Sequence, residues 1–162
     1  MGTSAALRAF LHTGRVAPGV PGVTLRELIA SWGPPCDRSK AYSLPYVYYA
    51  PDNRRHYGCE IPIHEGETHW LGLNFYGARN SKVPAPLKEI LSELRSWTTT
   101  RQLRRFGFQF VHYRRGNRYT TPDLRWERQI GDLRIVFQFV PRKQRGRRVL
   151  RVQAVRVVRA LQ

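Results

Sequence analysis

The spacing of hydrophobic and polar residues predicts two helices with clear ends. The run Thr24-Leu25-Arg26-Glu27 has the form of a capping box, in which a threonine and the glutamate three positions later bond each other's backbone amides. Apolar residues follow at helical spacing until Gly33-Pro34-Pro35, which ends the helix. A second helix is predicted from Leu87 to Trp97. Its apolar face is formed by Leu87, Ile90, Leu91 and Leu94.

Short runs of β-branched and aromatic residues predict antiparallel strands around these helices. In the first half, we expect strands at Pro45 to Tyr49, Tyr57 to Ile63 and Trp70 to Tyr76. Pro62 lies inside the second run and predicts either an edge strand or a shorter strand there, because proline has no amide hydrogen for a ladder. A tip at Glu65-Gly66-Glu67 predicts a hairpin.

The second half follows the same order. A threonine-rich start at 98–100 and a short helix through Leu103 precede four predicted strands. These strands are Phe108 to Tyr113, Arg125 to Ile130, Leu133 to Val140 and Val149 to Val158. A basic loop is expected from Pro141 to Arg148. The sequence therefore predicts an α+β fold, with short helices on one face of an antiparallel sheet and two pseudo-repeated halves, 1–83 and 84–162, within one compact domain.

Charge is distributed unevenly between the two ends of the chain. Residues 98–162 contain 17 Lys and Arg against 3 Asp and Glu, whereas residues 1–97 contain 11 against 8. A folded protein is indicated by 41% hydrophobic and 12% aromatic residues, which a disordered basic tail would lack. A half with this excess of positive charge predicts an acidic partner, which is RNA or DNA, an anionic surface or an acidic protein. The sequence does not decide between them.

Two basic clusters and one tryptophan are the candidate partner-binding residues. Guanidinium groups pair with both oxygens of a carboxylate or phosphate, and aromatic rings supply contact area at interface centres. A role in steric capture of an acidic protein would use both features. The candidates are Arg114, Arg115, Arg118, Trp126, Arg142, Lys143, Arg145, Arg147 and Arg148.

The run Gly107-Phe108-Gln109-Phe110-Val111-His112-Tyr113 resembles the aromatic signature strand of RNA-recognition domains. In those domains alternate rings stack on unpaired bases beside basic residues. The resemblance implies that Phe108, Phe110 and Tyr113 would contact nucleic acid. The alternative is that alternating aromatic residues form one buried face of a sheet.

No catalytic signature, cofactor motif or metal site is predicted. The only dense group of reactive side chains runs from His56 to His69, and strand alternation places His56, Glu60 and His64 on one face with Cys59 on the other. Such residues converge only if a hairpin brings His69 back towards His64. No apolar run is long enough for a secretory signal or a membrane span, so a cytoplasmic protein with no membrane insertion is expected.

The order of motifs in the first half resembles bacterial immunity-type and inhibitor domains built from helix-plus-hairpin repeats. The residues that carry the resemblance are Trp32-Gly33-Pro34-Pro35 after a capped helix, Tyr57-Gly58-Cys59-Glu60-Ile61, and the strand Trp70 to Phe75. The layout is also similar to tandem-repeat β-lactamase inhibitor proteins, in which a cysteine after the helix bonds one on the next strand. Cys36 and Cys59 lie in comparable places. The resemblance implies a sheet whose concave aromatic and charged face binds another macromolecule. We therefore expect a non-enzymatic, immunity- or inhibitor-like protein that sterically blocks an acidic protein partner, such as a toxin or enzyme.

Overall fold

In a computed structural model, the described part of this protein contains nine antiparallel strands and four helices. The structure describes residues 2–41, 43–52, 56–75, 82–97, 100–118 and 123–159. Tyr76, the last residue of one predicted strand, and positions 98 and 99 of the threonine-rich start lie outside the described residues. The architecture is α+β, as the sequence predicts.

The helices begin and end at recognisable capping residues. Helix α1 (Ala5–Thr13) was not predicted; the Ser4 side chain accepts a hydrogen bond from the amide of Leu7, and Gly14 ends the helix in the left-handed region at φ 70°. Helix α2 (Leu25–Trp32) has the predicted capping box. The remaining helices are α3 (Ala85–Ser96) and α4 (Arg101–Arg105).

The strands make one sheet in which both halves of the chain take part. They are β1 (Asp37–Ala41), β2 (Leu44–Pro51), β3 (Tyr57–His64), β4 (Glu67–Thr68), β5 (Leu71–Asn74), β6 (Gln109–Arg114), β7 (Asp123–Ile130), β8 (Leu133–Gln144) and β9 (Arg147–Arg159). Their spatial order is β1-β2-β3-β5-β9-β8-β7-β6, and β4 pairs with β3. The last strand of each half therefore meets the other at the centre, where β5 pairs with β9.

The core lies between the helices and one face of the sheet. Trp32 of α2 packs edge-on against Tyr49 of β2, and Trp97 after α3 stacks on Phe137 of β8, with ring centroids 5.3 and 6.2 Å apart. Side chains at alternate positions of β8, as the sequence predicts, are fully buried in this core. They are Leu133, Ile135, Phe137 and Phe139.

Two predictions for the sheet are wrong. Strand β3 is neither at an edge nor shortened at Pro62, since it runs from Tyr57 to His64 and pairs with β2 on one side and with β5 and β4 on the other. Pro62 lies opposite Tyr46 of β2, and on the other side of the strand it falls between the residues paired with β5, Cys59 and Glu60, and those paired with β4, Ile63 and His64. The segment 141–148 is not a loop, because β8 and β9 remain paired up to a two-residue turn.

Candidate binding site

The paired ends of β8 and β9 extend past the neighbouring strands. The register of β7 on β8 reaches Leu124 opposite Phe139, and that of β5 on β9 reaches Asn74 opposite Ala154. In contrast, β8 and β9 stay paired as far as Gln144 opposite Arg147. We call this two-stranded extension, residues 140–151, the basic ribbon.

The turn of the basic ribbon explains why a charged segment is a hairpin. Arg145 and Gly146 have φ values of 49° and 76°, the positive values that a tight two-residue hairpin turn requires at both central positions. Glycine takes such a value at no steric cost. The pairing of β8 and β9, whose register is set by their buried residues, therefore continues to the turn although residues 141–148 do not alternate apolar and polar side chains.

The basic ribbon concentrates exposed positive charge. The exposed cations are Arg142, Lys143, Arg145, Arg147 and Arg148. Lys143 lies directly opposite Arg148, and like charges in this position destabilise a strand pair. The sequence has no Asp or Glu after position 132, and no ion pair among the described residues uses a side chain from 141–149. An external anion would relieve this repulsion.

Strand β6 is an edge strand with exposed apolar side chains. It is the last strand of the sheet and pairs only with β7 among the described strands. Phe110, Val111 and Tyr113 are 48%, 50% and 51% exposed, and they are the exposed large hydrophobic residues of the described chain. Natural sheet edges are normally protected by charge, brevity or a cover. We call β6 and the flanking cations Arg114, Arg115, Arg118 and Arg125 the edge surface.

A bulge in β6 changes which side chains share a face. Phe110 pairs with Trp126 and Tyr113 with Leu124, whereas Val111 is an extra residue between the pairs. Since Trp126 and Leu124 are two positions apart on β7, Phe110 and Tyr113 lie on the same face of the sheet. Strict alternation along the sequence would have put them on opposite faces.

The cations of the edge surface differ in how they are held. Arg114 and Arg125 lie 3.7 and 3.8 Å from Oδ2 of Asp123, which is buried and also accepts a hydrogen bond from Gln138 at 3.1 Å. Arg114 is therefore anchored beside its strand. Arg115 and Arg118 continue the basic run and are exposed.

Two aromatic candidates are buried, which corrects their predicted role in contacts. Trp126 is 6% exposed: the Arg104 guanidinium lies 5.3 Å from its ring centroid, and the Phe110 ring packs at 5.6 Å. Phe108 precedes β6 and packs edge-on against Phe137 at 5.3 Å. Both belong to the core, so neither is available for stacking on a base or a partner.

The histidine-rich segment does form a hairpin, but it does not assemble a metal site. The rings of His64 and His69 are 5.3 Å apart, and they border a small cavity of about 140 Å³ with Arg159. Partial burial lowers the pKa of His69, and the neighbouring His64 and Arg159 lower it further. No group of three or more potential ligands with metal-binding geometry occurs in the described parts of the chain.

The two cysteines are free thiols. Cys36 is exposed and its Sγ donates to the Tyr48 carbonyl oxygen at 3.1 Å, whereas Cys59 is fully buried. Burial raises the pKa of the Cys59 thiol well above its usual value. The disulfide implied by the resemblance to β-lactamase inhibitors is therefore not present.

A polar group on the helix-free face of the sheet was missed by the sequence reasoning. Arg156 of β9 donates to Oδ1 of Asn74 at 2.9 Å, lies 3.6 Å from Oε1 of Glu60, and covers the Trp70 ring at 5.8 Å. Glu60, Asn74 and Arg156 come from three strands and Trp70 directly precedes β5, so the sheet register brings the group together. Since the arginine is already paired, we place this group in the framework.

Comparison with known proteins identifies no similar protein. No family model, curated protein or solved structure matches the chain. The longest described helix has 12 residues, and none of the helices in the described ranges is long and apolar enough to cross a membrane.

Proposed function

We propose that this protein is an inhibitor-like binding protein that captures an acidic protein partner and blocks it sterically. The observation that carries the proposal is the edge surface, where Phe110, Val111 and Tyr113 are exposed on the outermost strand. Exposed apolar residues on an unpaired edge are a template for an added strand. In a bacterial cell such a protein would have the role of an immunity protein.

Capture would combine backbone pairing with two kinds of side-chain contact. An extended segment of the partner would pair with the free edge of β6, while Phe110 and Tyr113 supply apolar contact on one face. Arg115 and the anchored Arg114 would pair with carboxylates around the apolar centre. The basic ribbon would raise the association rate through long-range attraction.

The order of the strands and the state of the thiols support two further parts of the proposal. Each half supplies two helices followed by strands, and the last strands of the halves pair at the sheet centre. This order supports a pseudo-repeated origin. Two cysteines held as free thiols support a cytoplasmic location, where thiols stay reduced.

The proposal is tested by pull-down from the producing cells, with and without nuclease. The variant Val111→Thr/Tyr113→Thr removes apolar surface from β6 while keeping residues that favour strands. We expect a stoichiometric acidic protein that survives nuclease, bound at least tenfold more weakly by the variant, as for an interface hot spot. Val149→Thr on the basic ribbon is the matched control. Equal capture by the wild type and the double variant would refute the role of the edge surface.

The basic ribbon favours a second function, nucleic-acid binding. A two-stranded ribbon fits the major groove of DNA, and this one projects past its neighbours with five exposed cations and no acidic residue. If Arg145, Arg147 and Arg148 contact phosphates, changing all three to Gln should reduce the slope of log affinity against log salt by about 2.7.

A matched variant distinguishes phosphate contacts by the basic ribbon from a general effect of net charge. Arg8, Arg26 and Arg38 are exposed and lie outside the basic half, so changing them to Gln removes the same charge elsewhere. The slope for duplex DNA should then be nearly unchanged. Equal slopes for the two triple variants would exclude the basic ribbon as a specific phosphate-binding element.

A further inference from the structure

A cleft lies where the basic ribbon leaves the sheet. It has a volume of about 490 Å³ and lies between the end of β5, the last turn of α3 and the base of the ribbon. A β-bulge lies at the cleft, because Gln153 is an extra residue of β9 between the pairs Gln138–Ala154 and Phe139–Val152. The amide of Phe75 donates to the Gln153 carbonyl oxygen at 2.9 Å. Bulges of this kind often redirect side chains beside functional sites. We call it the arginine cleft.

Three arginines and an apolar floor line the arginine cleft. The guanidinium groups are those of Arg95, Arg142 and Arg151, and the floor is formed by Phe75, Val140 and Val152. No acidic side chain is among the described residues that line it, and no ion pair in the described ranges involves Arg142 or Arg151. The cleft therefore combines three guanidinium groups with an apolar floor.

Two of the three arginines are held in place without a ligand. Arg151 donates to the carbonyl oxygens of Arg95 and Ser96 at 3.2 and 3.3 Å, at the C-terminal end of α3, and its other terminal nitrogen donates to Gln144. The Arg95 guanidinium lies 5.9 Å from the Phe75 ring centroid. Fixing side chains in advance reduces the entropy lost when a ligand binds. The site is thus largely formed in the free protein.

We propose that the arginine cleft binds the phosphate of a nucleotide, with the base on the apolar floor. A phosphate has three acceptor oxygens and two negative charges, which suit several guanidinium forks better than a single carboxylate does. The volume is within the range of small-molecule sites, and Phe75, Val140 and Val152 together provide an apolar surface for a planar body. This inference does not rest on the edge surface, which uses a different strand.

Two sources share this chemistry, a free mononucleotide and a nucleotide unit within a strand. Isothermal titration calorimetry of the full chain at physiological salt, with adenosine 5′-monophosphate, adenosine, inorganic phosphate and a single-stranded pentadeoxyadenylate, distinguishes them. We expect the monophosphate to bind at least tenfold more tightly than adenosine or phosphate alone. Tighter binding of the pentanucleotide than of the monophosphate assigns the site to a strand, and weaker binding assigns it to a free nucleotide.

The control uses two exposed arginines of the same ribbon. Arg142→Gln removes a charge inside the cleft, and Arg147→Gln removes the same charge at the turn, outside it. We expect at least a tenfold loss of monophosphate affinity for Arg142→Gln and less than a twofold loss for Arg147→Gln, because salt screens distant charges. Equal losses, or a monophosphate that binds no better than inorganic phosphate, would overturn the proposal. Unchanged thermal unfolding of both variants shows that the fold is intact.

Discussion

Thr68 is the polar side chain on which the strongest stability prediction rests. It is fully buried on β4, and its hydroxyl accepts hydrogen bonds from the amides of Gly22 and Val23 at 2.8 and 3.1 Å. The same hydroxyl donates to the Val23 carbonyl oxygen at 2.9 Å. It therefore ties the segment before α2 to the sheet, and replacing Thr68 by Val removes only this hydroxyl at nearly constant volume.

The expected cost follows from which partners survive the change. The Gly22 amide also donates to the Thr68 carbonyl oxygen, and the Val23 carbonyl also accepts from the Thr68 amide, so both keep a backbone partner. The Val23 amide loses the bond that the side chain provides. An unsatisfied buried amide costs about 1–3 kcal/mol. We expect Thr68→Val to lower the free energy of unfolding by about 2 kcal/mol, or the melting temperature by about 4–8 °C for a domain of this size.

The assay is equilibrium unfolding in urea followed by tryptophan fluorescence. Thr68→Ser is the matched control, because it keeps the hydroxyl and loses one methyl group, at a cost of about 1 kcal/mol. The slope of the unfolding free energy against urea concentration should be equal in the wild type and both variants. If Thr68→Val were as stable as Thr68→Ser or more so, the hydroxyl would not be what ties the segment before α2 to the sheet.

Three further predictions follow from individual contacts. Thr24→Ala removes the capping box of α2 and should cost about 1 kcal/mol in urea unfolding, whereas Thr24→Ser should cost little. A thiol reagent should modify the exposed Cys36 in the native protein and the buried Cys59 only after unfolding; two rapid equivalents in native buffer would contradict this. The Tyr57 hydroxyl donates to the Asp37 carboxylate, which raises the pKa of Tyr57 to about 12. Its contribution to stability should be present below pH 10 and lost as the pH rises through 12, and an alkaline absorbance titration should lose one late-ionising tyrosine in Tyr57→Phe.

Elements with local sequence signals were predictable, and elements formed by long-range pairing were not. The capping box at Thr24 and the apolar face of α3 are complete within a few residues, so their helices were confirmed. Strand β1 is polar and exposed or half-buried throughout, and it exists because of its pairing with β2, which no period reveals. Helix α1 did carry a signal, since Ser4 and Gly14 cap it at either end.

The candidate site also combines a feature that the sequence shows, its charge, with one that depends on long-range packing, the exposure of its aromatic residues. The positive charge of the second half is visible in composition, but whether an aromatic residue is accessible depends on what packs over it. Trp126 is covered by Arg104, and Val111 shifts the alternation of β6 so that Phe110 and Tyr113 share a face. A single inserted residue in a strand has no signature of its own, because the flanking sequence is equally compatible with a regular ladder.

The architecture separates the exposed cations of the basic ribbon from the buried residues that stabilise the sheet. In β8 and β9, buried residues such as Phe137 and Val155 anchor the hairpin in the core, and the register that they set continues into a ribbon with no core contacts at its tip. There Lys143 faces Arg148, an arrangement that costs stability in the free protein. Because a bound anion would remove that cost, the basic ribbon should be ordered best when it is occupied. A sheet extension of this kind keeps its charge available at little risk to the fold, since the residues that hold it lie elsewhere.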